Sequence, residues 1–384
     1  MTQLPDGRYV DDAPYDPNLS IQQLERRDLD APNWLLIWRK FKQHRLGLIS
    51  GIFLLTCYLM LPFVGFIAPY GPNDRFPDHI HNPPQSINLW HEGRFIGPFV
   101  YPVTSEANLE TFQWEYKPDL ENPSKLRFFC KGSPYSIVGL IPAETRLFCS
   151  ADDAPVFIWG SDRLGRDVFT RILYGAQLSL TVGLIGISVS FFLGIFFGSV
   201  AGYFGGGIDW GINRVIEILR SLPELPLWLA LSAAVPSNWG PVSVFFIISV
   251  ILGILDWPGL ARAVRAKFLS LREEEYVRAA EMMGASSGRV IRKHLLPNFM
   301  SHLIASATLS IPSMILGETA LSYLGLGLRA PAVSWGVMLN DAQNLASIEI
   351  YPWTAIPMLP IMVVVLAFNF LGDGLRDSLD PYQQ

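Results

Sequence analysis

Charge is what this 384-residue chain has least of: 16% of its residues are Asp, Glu, Lys or Arg, against 50% hydrophobic. An ordinary globular domain carries about a quarter charged residues, so the deficit leans towards a membrane protein. Catalytic vocabulary is thin as well. There is no G-x-x-x-x-G-K-[ST] phosphate loop and no H-E-x-x-H zinc motif, so the chain is expected neither to hydrolyse ATP nor to bind a catalytic metal. No basic stripe with interleaved aromatics occurs, which removes nucleic acid as a partner. The formal net charge of −5 says little more. Cysteine is limited to Cys57, Cys130 and Cys149.

What is present is long apolar sequence. Residues 46–68, 172–208 and 350–372 contain no charged side chain, and each is long enough to cross a hydrocarbon core of roughly 30 Å. Further spans are expected at 219–235 and 242–260, separated by the Pro236 to Pro241 turn, and at 299–328, interrupted by His302 and Glu318. The fold class that follows is an all-α membrane protein with six transmembrane helices. Lys and Arg in short loops set the orientation. Arg39, Lys40, Lys42 and Arg45 precede the first span, Arg214 and Arg220 follow the second, and Arg262, Arg265, Lys267 and Arg272 follow the fourth. These flanks are expected to be cytoplasmic, with both termini inside. Because about 45 residues precede the first span, it reads as a retained anchor rather than a cleaved signal peptide.

Residues 69–159 form a polar segment broken by Pro, Gly and charge, and rich in aromatics such as Trp90, Trp114, Phe128 and Phe129. It cannot span a bilayer and is expected to be an external, β-rich insert between the first two helices. Cys130 and Cys149 lie within it. On an oxidising side they would form a disulfide closing a loop of about 20 residues, worth about 3 kcal/mol in the chain-entropy model; two buried thiols are the alternative. Cys57, inside the first span, reads as packing.

Between the fourth and fifth spans the chain stays polar long enough for a short helix. Ser270 and Glu273 have capping-box spacing, which predicts a helix over 271–285. Tyr276, Ala280, Met283 and Gly284 would share one narrow apolar face, with Arg272, Glu275, Arg278 and Glu281 turned away. Gly284 suits the helix end, Ser287 can cap the next helix, and Pro297 interrupts the pattern again. The segment is either a docking knob or a solvated connector. Elsewhere, Gly194, Gly198 and Gly202 make a small-residue stripe that admits a close neighbouring helix. Asp167 and Arg171 have the spacing to pair on one helical face. Glu224, Asp256 and Glu318 lie in or beside apolar spans, where a charge costs about 2.5 kcal/mol or more. They line a pathway or gate, or hydrogen-bond to a helix broken near Pro223, Pro258 or Pro312.

The polar helix resembles the coupling-loop signature of ABC importer permeases, a Glu-Ala-Ala followed by Gly and a closing Leu-Pro. Ala279, Ala280, Gly284, Ile291, Leu296 and Pro297 match it, whereas Arg278 stands where the first Glu usually does. Gly160-Ser161-Asp162 with Gly165-Arg166-Asp167, Thr170-Arg171 and Gly175 resembles a signature of the dipeptide, oligopeptide and nickel group of these permeases. So do Gly202 to Gly206, Leu321 to Gly327, and Phe368 to Asp377. The resemblance extends over residues 160–381 and makes 160–384 the permease core.

What it implies is one half of a bacterial inner-membrane importer, embedded in lipid and paired with a second, similar permease. Two cytoplasmic ATPase subunits would bind ATP and Mg and dock on the coupling helix, with Glu275, Tyr276, Arg278 and Met283 at the contact. This chain would hold no cofactor. An external solute-binding protein would deliver cargo, oligopeptides first and oligosaccharides second. A competing reading is an intramembrane hydrolase. Gly284-Ala285-Ser286-Ser287-Gly288 fits G-x-S-x-G, but a polar helix precedes it where a strand is needed. The parts available to an intramembrane enzyme, Ser286, His294 and Glu318, would lie near opposite faces.

Overall fold

The computed structural model describes residues 33–379 apart from 109–112, 138, 153, 237 and 344, together with two short paired strands, Thr2–Gln3 (β1) and Tyr9–Val10 (β2). Most of the predicted N-terminal segment therefore lies outside the described residues. An amphipathic helix, Asn33–Gln43 (α1), leads to the first span. His44 breaks the two apart: its Nδ1 accepts the Gly47 N–H at 3.0 Å and caps Arg45–Met60 (α2). A 3-10 turn and Val64–Ile67 (α3) complete a span over Arg45–Ile67.

The insert follows. Asn88–His91 (β3), Arg94–Val100 (β4), Ser124–Ile137 (β7) and Ile141–Ser150 (β8) form an antiparallel sheet in the order β3-β4-β7-β8, and Val103–Asn108 (β5) pairs with Gln113–Pro118 (β6). Cys130 and Cys149 on the long β7–β8 ribbon are joined, with S–S 2.03 Å, and Cys57 is a half-buried free thiol. The ribbon is clasped to the C-terminal end of the first span by Arg146, which is 1% exposed. Its guanidinium donates to the carbonyls of Gly65 (2.9 Å), Ala68 (3.0 Å), Tyr70 (2.9 Å) and Ser133 (2.9 Å). The Gly65 and Ala68 carbonyls belong to the end of α3, and Ser133 lies where the β7–β8 register shifts between Lys131 and Tyr135, so these groups need donors, which the buried arginine supplies.

The membrane core begins with Val168–Phe204 (α4), whose N-cap Asp167 accepts the Thr170 N–H at 2.8 Å. The expected Asp167–Arg171 pair does not form, because capping claims the carboxylate and Arg171 turns to other acids. Gly206–Ser221 (α5) and Glu224–Ala233 (α6) come next. The predicted span at 219–235 is thus a broken pair. Pro223 forces Leu222 into extended backbone, ψ 138°, and ends α5. The ten residues of α6 then rise only about 15 Å, half a hydrocarbon core.

Pro241–Leu271 (α7) runs back, and Leu296–Tyr323 (α10) and Met358–Leu379 (α13) follow after the intervening short helices. Five helices among the described residues are long and apolar enough to cross a bilayer: Arg45–Ile67, Val168–Phe204, Pro241–Leu271, His302–Tyr323 and Pro352–Leu379. The tightest seam joins α4 to α7. A Cβ on Gly194 would lie 2.8 Å from Leu260 Cβ, one on Gly198 2.6 Å from the Ala261 carbonyl oxygen, and one on Gly202 2.7 Å from Phe268 Cβ. The small stripe is therefore a backbone-contact surface against α7.

Candidate coupling and pathway elements

The polar helix forms, with shifted bounds. Ser270 belongs to the last turn of α7, so the capping-box start at Leu271 is overridden and the helix spans Glu275–Met282 (α8), with Glu274 as N-cap. Its C-terminus is a Schellman motif. Gly284, at φ +83°, donates to the Glu281 carbonyl at 2.9 Å, and Ala285 donates to the Ala280 carbonyl at 3.1 Å. A left-handed residue is required there, which explains the glycine.

The face is also rotated from the one expected. Val277 is 0% exposed and Ala280 4%, so Ala280 belongs to the footing rather than to a docking knob. Val277 packs with Val264 and Phe268 of α7, with Val290 of Ser287–Val290 (α9), with Leu295 just before α10, and with Phe299 and Leu303 in its first turns. Tyr203 Oη at the end of α4 donates to Glu281 Oε1 at 2.7 Å, and Asn298 Nδ2 donates to Tyr276 Oη at 2.9 Å. One short helix is thereby fixed to the ends of three spans. Its outer surface carries Glu275, Arg278 and the adjacent Met282 and Met283, 84% and 83% exposed. Arg278 Nη2 bonds Glu273 Oε2 at 2.5 Å and, with Arg272, holds that carboxyl below its usual range. Ile291 and Leu296 are half-buried around a π-turn, and Pro297 sits in the first turn of α10, where its missing N–H costs nothing.

The three intramembrane acids separate. Glu318 is fully buried and accepts from Ser322 Oγ at 2.7 Å and Ser179 Oγ at 3.2 Å, with Ser334 as a further partner. It ties α10 to α4 and to the turn before Trp335–Asp341 (α11), so it fastens helices and faces no open pathway. Asp256 accepts from Ser190 Oγ at 2.8 Å and borders a cavity of about 160 Å³ whose other polar walls are Ser306 and Ser310. Exposed Glu224, at the start of α6, lies within electrostatic range of it. Ser286 and His294 share the segment around α9, away from Glu318, so no nucleophile, base and acid converge.

An ion network at the other end has no local sequence signal. Asp162 Oδ2 receives Arg166 Nε at 2.7 Å and Arg171 Nη1; Asp341 receives Arg166 (2.7 Å), Arg171 (3.1 Å) and Arg163 (2.8 Å). Burial alone would raise the Asp341 carboxyl, but Arg171 and Arg166 hold it below its usual range. Burial pushes the neighbouring Asp167 up to about 7, despite its bonds to Thr170. The run at 160–175 that carries the resemblance is thus a clamp joining the approach to α4 to the end of α11.

Residues 194–383 match the family described as binding-protein-dependent transport system inner membrane component, and residues 33–84 match the N-terminal TM domain of oligopeptide transport permease C. The chain is 44% identical over 252 residues to the dipeptide transport system permease protein DppC of Bacillus subtilis, covering 65% of this chain and 75% of that protein. It is 38% identical over 224 residues to the oligopeptide transport system permease protein OppC of the same organism, covering 58% and 71%. The chain belongs to the dipeptide and oligopeptide permease family of ABC importers. Among solved structures, the methionine ABC transporter MetNI in an inward-facing conformation aligns with a TM-score of 0.43 at 17% identity, covering 55% of the permease and 97% of that chain.

Family membership makes the permease a membrane-embedded transport subunit. It also gives α8 its context, since the matched segment contains the helix whole. Val277 and Met282 escaped the sequence reading, although a helix drawn from Glu275 would have put Val277 and Ala280 on one buried face.

Proposed function

We propose that the permease forms one half of a pathway importing peptides across the bacterial inner membrane, with a second, similar permease as the other half. Two ATPase subunits, which bind ATP and Mg, seat on α8 from the cytoplasm. An extracytoplasmic solute-binding protein delivers cargo to the side that carries the insert. Both termini lie inside, 46–68 anchors the chain, and 69–159 lies outside. The observation that carries the reading is α8 itself: a polar helix with an exposed Met282–Met283 tip and a buried Val277–Ala280 foot that joins the ends of α4, α7 and α10. Movement of a docked ATPase displaces that foot and with it three spans, which switches access to the central pathway.

Uptake of labelled di- and oligopeptides in a strain lacking the permease, with and without a plasmid copy, tests the cargo. Restored oligosaccharide uptake without peptide uptake would overturn it. Cysteine labelling at positions 278 and 239 tests the orientation, which fails if 278 reacts from outside.

A further inference from the structure

A groove of about 590 Å³ lies where α1 meets the first and last spans. Its walls include Trp38 and Phe41 of α1, Ile52 and Leu55 of α2, and Leu371 and Leu375 of α13, with no ionisable side chain among the lining residues. Backbone packing creates it. A Cβ on Gly47 would lie 3.1 Å from Gly374 Cα, so the two spans touch there, while the turn at His44 carries α1 aside. Trp38, Ile52 and Leu55 are left 45%, 58% and 60% exposed.

The shape and chemistry of the groove select its occupant. The stretch of α2 from Leu48 to Leu55 that lines it rises roughly 10 Å along the span, parallel to the acyl chains of a bilayer. A polar ligand would leave its hydrogen-bonding groups unsatisfied against these walls, and water does not fill an apolar cavity. Lys40 and Lys42 lie in the last turn of α1, beside its lining residues Trp38 and Phe41, and Arg45 opens α2 three residues before its lining residue Leu48. The Lys42 ammonium sits 5.4 Å above the Trp38 ring, which holds it at the rim. The acids of the facing span are Asp373 and Asp377, the latter 3.8 Å from His44 Nε2. A basic cluster on an amphipathic helix beside a span is the arrangement that attracts anionic headgroups.

We propose that this groove binds an anionic phospholipid, one acyl chain lying between α1, α2 and α13 and the phosphate meeting Lys40, Lys42 and Arg45. The proposal rests on the reading that this end of the first span is cytoplasmic. Its test does not, because nanodiscs present the same lipids on both faces.

Full-length permease is reconstituted in nanodiscs of phosphatidylglycerol and phosphatidylethanolamine, extracted, and its retained lipids are counted by native mass spectrometry. The expected result is selective retention of phosphatidylglycerol. Lys40→Gln with Lys42→Gln should lower that selectivity by roughly thirtyfold, since each basic group contributes about fivefold, and should leave phosphatidylethanolamine retention unchanged. Ile52→Trp, which fills the groove from an exposed position, should lower retention of both lipids. Equal retention of the two lipids by the native protein, or unchanged selectivity in the double variant, would overturn the proposal. So would a lipid load that rises on deletion of residues 1–32, because that would make the chain's own N-terminal segment the occupant.

Discussion

Replacing Met282 and Met283 together by Ala separates docking from folding. Both side chains are more than four-fifths exposed, at 84% and 83%, so their loss should change the stability of the isolated permease by about 0.5 kcal/mol or less. Seated in an ATPase groove, each methionine would bury a side chain worth about 1.5 kcal/mol or more, so the pair contributes about 3 kcal/mol of gross burial. If about 2 kcal/mol of that is lost as affinity, the Kd rises about thirtyfold, and at subunit concentrations below the Kd complex occupancy falls more than tenfold. Val277→Ala is the control. It removes two methyl groups from a site with no exposure and should cost about 2 kcal/mol of folding stability through lost burial and a cavity. The assay is a thermal melt of each purified variant beside recovery of the ATPase subunits on the tagged permease. The expected pattern is an unchanged melt with lost ATPase for the methionine pair, and a lowered melt for Val277→Ala. Normal ATPase recovery and normal uptake with both methionines truncated would show that α8 is only a connector.

Gly198→Leu should destabilise the permease by about 3 kcal/mol, because its Cβ alone would lie 2.6 Å from the Ala261 carbonyl oxygen, and a melt unchanged from native would mean that the α4–α7 seam yields. Loss of the Cys130–Cys149 link, 19 residues apart, should lower the stability of the insert by about 3 kcal/mol, read by protease resistance with and without reductant. Asp341 has a depressed folded pKa, so its ion pairs stabilise the Asp162–Asp341 clamp fully above the unfolded value of 3.8, and that contribution disappears as pH falls through the lower folded value. The acid-side fall in melting temperature should therefore be smaller in Asp341→Asn, and an identical profile would remove Asp341 from the account.

Much of the membrane architecture was legible because length and apolarity decide a span without knowledge of its neighbours. The exception is 219–235, where average hydropathy concealed the local effect of Pro223 on Leu222. The same locality misled at α8. Ser270 and Glu273 satisfy a capping rule, but α7 continues through Ser270, so the predicted start fell four residues early and Ala280 was placed on the outward face. Glu318 was visible as an anomaly but not as a fastener, since Ser179 lies 139 residues away in sequence. The clamp at Asp341 was hidden for the same reason: Arg166 and Arg171 are 175 and 170 residues distant, and no periodicity encodes such pairings.

The contact of α4 with α7 along Gly194, Gly198 and Gly202 has a mechanical consequence. Two helices whose backbones touch at Gly198 and Gly202, with the Leu260 side chain against Gly194 one turn further on, cannot bow apart or slide by a fraction of a turn without collision. They behave as a single strut, about 46 Å long over the 31 residues of α7. Tyr203 and Glu281 bolt α8 to the end of that strut. A push of a few ångströms at the strut's base is therefore not absorbed by bending but arrives at the far end as tilt, with little lost along the way. Stiffness here comes from the missing side chains, and adding even one methyl group at Gly198 would soften the gearing before it touched any surface that a ligand or partner meets.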